Sequence, residues 1–180
     1  MKALSRLAFL LAAMMTAGCT HLSMRGHVAA SDYTANPTRI YVLNGLDERF
    51  SPAMPQQFND AFTAAIAPCG VSTAAYRASG LQLNVGSTIE AQLKEFGADA
   101  VLVIRQTERV YYEGQVVRMA YVATLNDVAQ KREVWKADFT MGGGAFADKS
   151  GLGPRLANMI VRRLGEDKIV KTCTSLPAAS

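Results

Sequence analysis

The chain has 180 residues, with 19 lysines and arginines against 15 carboxylates and a formal net charge of +4. That length supports one domain with a real core, and so small a charge does not argue for a nucleic-acid partner. Two histidines, His21 and His27, are the full complement, which leaves little for histidine-based catalysis or for zinc.

The N-terminus begins with Lys2 and Arg6 and continues into an uncharged apolar run, Leu7 to Met15. Nine residues are too few to cross a bilayer, which needs roughly 20, but they suit the apolar part of an export signal. Thr16-Ala17-Gly18-Cys19 follows. This resembles the lipobox of bacterial lipoproteins, with Thr16 in place of the usual leucine. The resemblance implies cleavage before Cys19 and acylation of that residue. In that family an aspartate directly after the cysteine marks inner-membrane retention. Thr20 stands there, so the resemblance implies the outer membrane with the domain facing the periplasm. Residues 1–18 are then a signal peptide. Their loss removes Lys2 and Arg6 and leaves 17 basic against 15 acidic side chains, a net of +2.

With Cys19 lipidated, Cys69 and Cys173 remain. An oxidising compartment favours pairing them, and a closed loop of this size has a chain-entropy value of about 4.7 kcal/mol. Thr20 to Pro37 is polar and lacks an apolar period, so residues 19–37 read as the lipidated cysteine and a flexible tether. Arg39 to Leu43 predicts a buried strand, and Asn44-Gly45 a turn. After the loop through Phe50, Pro55 suits a first helical turn. Phe58, Phe62, Ala65 and Ile66 then recur at helical spacing until Pro68 and Gly70. Val71–Tyr76 and Leu81–Val85 both lean towards strand, and the sequence leaves open which one joins the sheet.

Ser87-Thr88-Ile89-Glu90 has the form of a capping box. Ile89, Leu93 and Phe96 form the apolar stripe of that helix, and Gly97 is its natural C′ residue. Ala100 to Ile104 is a continuous apolar run, predicting a central strand covered on both faces. The strand continues to Tyr112, and Glu113-Gly114 signals a hairpin. Val117, Met119, Tyr121, Ala123 and Leu125 alternate on the return strand. After the polar connection Asn126–Arg132, Trp135, Ala137, Phe139 and Met141 alternate on the next. Leu156, Met159, Ile160 and Leu164 give a last amphipathic helix, with Arg155, Arg162 and Arg163 on its polar side. The expected fold is α+β: a mixed sheet with a three-stranded antiparallel meander, packed by about three helices in one domain over residues 38–173. Residues 174–180 read as a disordered tail.

Within Phe96 to Phe139, Gly97-Ala98-Asp99 ends a helix before a strand and hairpin. Leu125 and Asp127 then precede Trp135, which opens the next strand. This order resembles periplasmic lipoproteins of the curli secretion channel type and the penicillin-binding-protein activator type. Those families bind other proteins, and one of them assembles into an export pore. The resemblance implies a fold group and a protein partner.

No chemistry-bearing constellation stands out. Gly143 to Ser150 misses the phosphate loop because Asp148 replaces its second glycine, so no nucleotide or other cofactor is expected. Asp47 with Glu48, or Glu108 with Glu113, are the nearby carboxylate couples an envelope hydrolase would need, and loop surroundings favour plain surface charge for both. No catalytic or metal residue is therefore assigned. Tyr111 and Tyr112 at the hairpin tip, with Arg109, Arg118 and the loop aromatic Phe50, form a candidate patch for a protein partner. The reading is a non-enzymatic, lipid-anchored envelope protein that binds a protein in assembly or secretion. A self-assembling ring or accessory pore component is the alternative.

Overall fold

The structure is a computed structural model and describes residues 20–76, 84–144 and 147–171. The elements are β1 (His21–Ala29), β2 (Arg39–Asn44), α1 (Met54–Ile66), a 3₁₀ turn (Ala67–Cys69), β3 (Ser72–Ala75), α2 (Val85–Phe96), β4 (Ala100–Tyr112), β5 (Gln115–Asp127), β6 (Arg132–Gly142) and α3 (Leu152–Glu166). The six strands form one sheet in the order β1-β6-β5-β4-β2-β3. The expected meander is β4-β5-β6, and β2 and β3 extend it with parallel pairing. The fold is thus the expected α+β arrangement, with three α-helices among the described residues.

Segment Val71–Tyr76 supplies the sheet strand, β3, pairing Arg39–Val42 with Ser72–Ala75. Of Leu81–Val85, residues 81–83 lie outside the described residues and Val85 opens α2.

The larger correction concerns residues 20–37. His21–Ala29 is an edge strand, antiparallel to β6, where a tether was expected. The following segment is also tied down. Ala30 N–H donates to the Val134 carbonyl at 2.9 Å. Arg132 makes a bidentate pair with Asp32 at 3.2 and 2.9 Å. The Tyr33 hydroxyl donates to Asp127 Oδ2 at 2.8 Å. At the entry to β2, Asp99 accepts from Thr38 N–H (2.8 Å), Thr38 Oγ1 (3.0 Å) and Arg39 N–H (2.9 Å). The chain therefore crosses from one side of the sheet to the other beneath the β5–β6 turn, fixed at each step.

Helices α1 and α3 pack together on one sheet face. Met54, Phe58, Phe62 and Ile66 from α1 and Leu156, Ile160 and Leu164 from α3 are fully buried. They share one core with Ile40, Val42, Leu102, Met119, Tyr121, Leu125, Trp135 and Phe139. The helices approach closely at Gly153, where a Cβ would lie 2.8 Å from the Met54 carbonyl oxygen. The expected helix stops hold, with Pro68 in the 3₁₀ turn and Gly70 at φ 76°.

The opposite face differs. Helix α2 lies against it only at the β2 end, where the Tyr41 hydroxyl donates to Gln92 and the Tyr41 and Phe96 rings meet at 6.1 Å. No residue of α2 is fully buried. Its expected capping box does not form. The N-cap is Asn84, three residues before the expected Ser87, so Ser87 sits in the first turn and its Oγ donates to the Asn84 carbonyl at 2.9 Å. Gly97 is the expected left-handed C′ residue at φ 67°. Val101 and Val103 of β4 are therefore only half-buried, not covered on both faces as the apolar run suggested. Among the described residues, no helix is long and apolar enough to cross a membrane.

Candidate functional site

The β4–β5 hairpin positions the residues of the candidate patch. Both strands run for 13 residues, joined by Glu113 (φ 48°) and Gly114 (φ 78°). Two successive positive φ values make the tight turn whose twist matches that of the strands, and glycine suits the second position. The hairpin outruns its neighbours: β2 pairs β4 only as far as Ile104, and β6 pairs β5 only from Arg118 onward. Its tip carries Tyr111 and Tyr112, 54% and 61% exposed. Adjacent strand residues point to opposite faces, so the tip presents an aromatic ring on each side.

The arginines differ in their freedom. Arg109 is mostly buried and engaged: its Nη2 pairs with Asp47 and donates to Gln106 Oε1 at 2.9 Å, and its Nη1 donates to the Tyr111 hydroxyl at 3.0 Å. Arg109 thus positions Tyr111 and ties the hairpin to the loop after β2. Arg118 is half-exposed and pairs with Glu108 across the hairpin at 2.9 Å. Phe50 does not join the patch. It is buried in the main core at 4% exposure, with Lys149 Nζ 4.8 Å above its ring. The loop that carries it folds inward because Leu46 is buried as well and Tyr121 accepts the Asp47 N–H at 3.2 Å.

One member of each carboxylate couple, Asp47 and Glu108, is drawn into structural pairing. The Asp47 carboxylate receives Arg109, the Arg49 side chain at 3.2 Å and the Arg49 N–H at 2.9 Å. Burial works to raise its pKa, but the Arg49 N–H, the Arg49 side chain and Arg109 outweigh it and hold the carboxyl below its ordinary value. Glu108 is taken by Arg118. Burial pushes the Tyr121 phenol beside Asp47 up to about 12.

In the former near-miss phosphate loop, Asp148 accepts the Ser150 N–H at 2.9 Å in a local turn. Lys149 reaches back to the Val116 carbonyl at 3.3 Å, close to the hairpin base. Cys69 lies buried at the end of the 3₁₀ turn, in the same core as Ile169 and Val170. Cys19 and Cys173 lie outside the described residues.

Sequence reasoning missed a second polar centre. Asp167, just after α3, accepts Trp135 Nε1–H at 2.8 Å and faces His27 Nε2 at 3.3 Å. His27 was read as a linker residue. It clasps β1 to the end of α3. A groove of about 460 Å³ also opens between α2 and the β2–β3 edge, lined by Arg39, Tyr41, Ala74, Gln92, Glu95 and Phe96.

No protein-family model matches the chain, and no curated protein matches it in sequence. Among solved structures, it is similar to a PelC dodecamer from Paraburkholderia phytofirmans, with TM-score 0.50 and 15% identity over 80% of this chain and 96% of that one. A second PelC dodecamer structure from that organism gives TM-score 0.49 and 11% identity over 85% and 99% of the two chains. TolB from Acinetobacter baumannii gives 0.38 and 14% over 83% and 31%. At such identities the likeness to PelC shows the fold alone.

The Asp47–Arg109 contact yields a prediction with a definite sign. Asp47 has a lower pKa folded than unfolded, so its contribution is present above about pH 4 and is lost as pH falls through the folded value. Asp47→Asn is expected to cost about 2 kcal/mol at pH 7. The cost should shrink towards zero at the acid end of a series of urea unfolding curves. A penalty independent of pH would mean that packing, not charge, accounts for it.

Proposed function

We propose that this protein is a non-enzymatic, lipid-anchored lipoprotein of the outer membrane whose periplasmic domain works by binding protein. The observation that carries the binding reading is the uncovered sheet face. Among the described residues, α2 screens only its β2–β3 end. Beyond it lie half-buried Val101, Val103 and Thr124 and exposed Val28, with small Ala120 shaded between longer neighbours. Half-buried Lys136 and Asp138 of β6, opposite Thr124 and Val122, share this face, and such a mixed apolar and charged surface has the composition of a non-obligate protein interface. The candidate carboxylates support a non-catalytic role, because Asp47 and Glu108 are engaged by arginines.

Self-assembly is the second reading, supported by the likeness in fold to PelC, whose chains form a dodecamer. On this reading a further copy of the chain covers the open face. The anchor rests on the Thr16-Ala17-Gly18-Cys19 motif. The position of β1 fits it, because the first strand starts at His21 and an acylated Cys19 would hold the domain against the bilayer. We further propose that Cys69 pairs with Cys173. Ile169 and Val170, four and three residues upstream of Cys173, already share a core with Cys69.

Three outcomes test these readings. Cys19→Ser should move the protein from the membrane to the soluble fraction; membrane retention would remove the lipid anchor. Peptide mapping without reductant should recover residues 69 and 173 in one linked fragment, and two separate alkylated cysteines would exclude the bridge. Crosslinking of the native lipoprotein in membranes should give species heavier than the monomer, lost on Val103→Arg. Masses at integer multiples of the chain select self-assembly, and other increments select a different partner. A monomer under all conditions would sink both binding readings.

A further inference from the structure

The strand register fixes which end of the domain faces the anchor. His21 lies opposite Gly142, Gly142 opposite Arg118, and Arg118 opposite Val110, so one row of the sheet joins the start of β1 to the long hairpin. Next to this row, a Cβ on Gly143 would lie 2.9 Å from the Thr20 Cγ2, and Gly143 N–H donates to the Val117 carbonyl at 3.0 Å. Cys19 is bonded to Thr20, so chain connectivity brings whatever Cys19 carries to this end. From the row, Gln115–Val117 and their partners run on for three residues to the turn, about 10 Å at a strand's rise per residue. The headgroup layer of one leaflet is roughly 5–8 Å deep, from the difference between total and hydrocarbon thickness.

We infer that the β4–β5 hairpin tip is a lipid-contacting element: Tyr111 and Tyr112 sit in the headgroup layer of the membrane to which Cys19 anchors the chain. The inference rests on the proposed anchor. Tyrosine suits this position because its ring is apolar and its hydroxyl prefers water, the balance that concentrates it at membrane interfaces. Arg109 assists by holding the Tyr111 hydroxyl. Net charge at this end supplies no pull. Arg49, Arg109, Arg118 and Lys149 stand against Asp47, Glu48, Glu108, Glu113 and Asp148, four positive groups against five negative. The contact therefore does not require anionic lipid. The opposite end, with exposed Val128 in the β5–β6 turn, faces away.

The test uses the full-length lipoprotein reconstituted in phosphatidylcholine vesicles, with and without lipid brominated high on the acyl chains. Tyr112→Trp and Val128→Trp are compared, with wild type supplying the background from buried Trp135. Flotation is measured first. If the wild type does not float with the vesicles, the anchor reading fails and this inference falls with it. On floated protein, the added Tyr112→Trp emission should drop about twofold with brominated lipid, as for side chains buried at the headgroup–acyl boundary. The Val128→Trp emission should not change. Equal emission at residue 112 with and without bromine, on vesicles that carry the protein, overturns the inference alone and assigns the tyrosines to a protein contact.

Discussion

Three carboxylates from three different places in the chain hold the N-terminal segment, and the geometry of the whole domain depends on that hold. Asp167 faces His27 in β1. Asp127, buried at the end of β5, takes the Tyr33 hydroxyl. Asp99 takes two backbone N–H groups at the entry to β2. The bonds to Asp127 and Asp99 have a carboxylate acceptor, the stronger class of protein hydrogen bond. Together they convert a polar stretch with no apolar period into an edge strand and a strap. Without them, residues 20–38 would have the β1–β6 ladder, the Ala30–Val134 hydrogen bond and the exposed Arg132–Asp32 pair against the chain entropy of ordering them.

These contacts give the Gly97-Ala98-Asp99, Leu125, Asp127 and Trp135 pattern of the second half a physical meaning. Leu125 is a core residue, while Asp127 receives Tyr33 and caps the β5–β6 turn through the Gln130 N–H at 2.7 Å. Trp135 is 1% exposed, and its one polar atom is satisfied by Asp167. Asp99, last of the Gly97-Ala98-Asp99 turn, clamps the neighbouring strand. All three aspartates do structural work at strand and helix ends. None lies in the uncovered face where protein binding is proposed.

The second half of the fold was legible because its signals are local. Alternation over β5 and β6, the Glu113-Gly114 turn and the left-handed Gly97 each state a backbone conformation within a few residues. Strand β1 was hidden for a specific reason. Leu22 and Met24 face the same side as their partners Met141 and Phe139. A bulge between Met24 and Gly26 then shifts the phase, so that His27 and Ala29 face inward against Ala137 and Trp135. A period-2 search across that bulge finds no period. The capping-box pattern failed for the opposite reason: Ser87 and Glu90 have the right spacing, but α2 begins at Val85. The patch was half legible. Exposed tyrosines follow from a hairpin that outruns its neighbours, whereas the burial of Phe50 and the Arg109–Asp47 pair are long-range contacts that no local pattern encodes.

The recovery of β1 changes the mechanical picture of the chain. An 18-residue flexible coil would let the domain range roughly 23 Å from its anchor. A strand that starts at His21 leaves only Thr20 between the candidate acylated residue and the sheet. Orientation then follows from the β1–β6–β5–β4 register, because four hydrogen-bonded antiparallel strands do not swivel independently. The axis of the hairpin is set by the same ladder that sets the start of β1. The uncovered face runs parallel to that axis, so under the proposed anchor it would stand upright from the membrane. A second copy anchored in the same plane would meet that face side-on. Growth by such contacts stays in the plane of the bilayer and closes into a ring when the rotation between neighbours divides a full turn. If Cys19 carries the proposed anchor, so rigid and short an attachment would favour lateral assembly over reach, because the domain could not range far from the membrane to meet a partner.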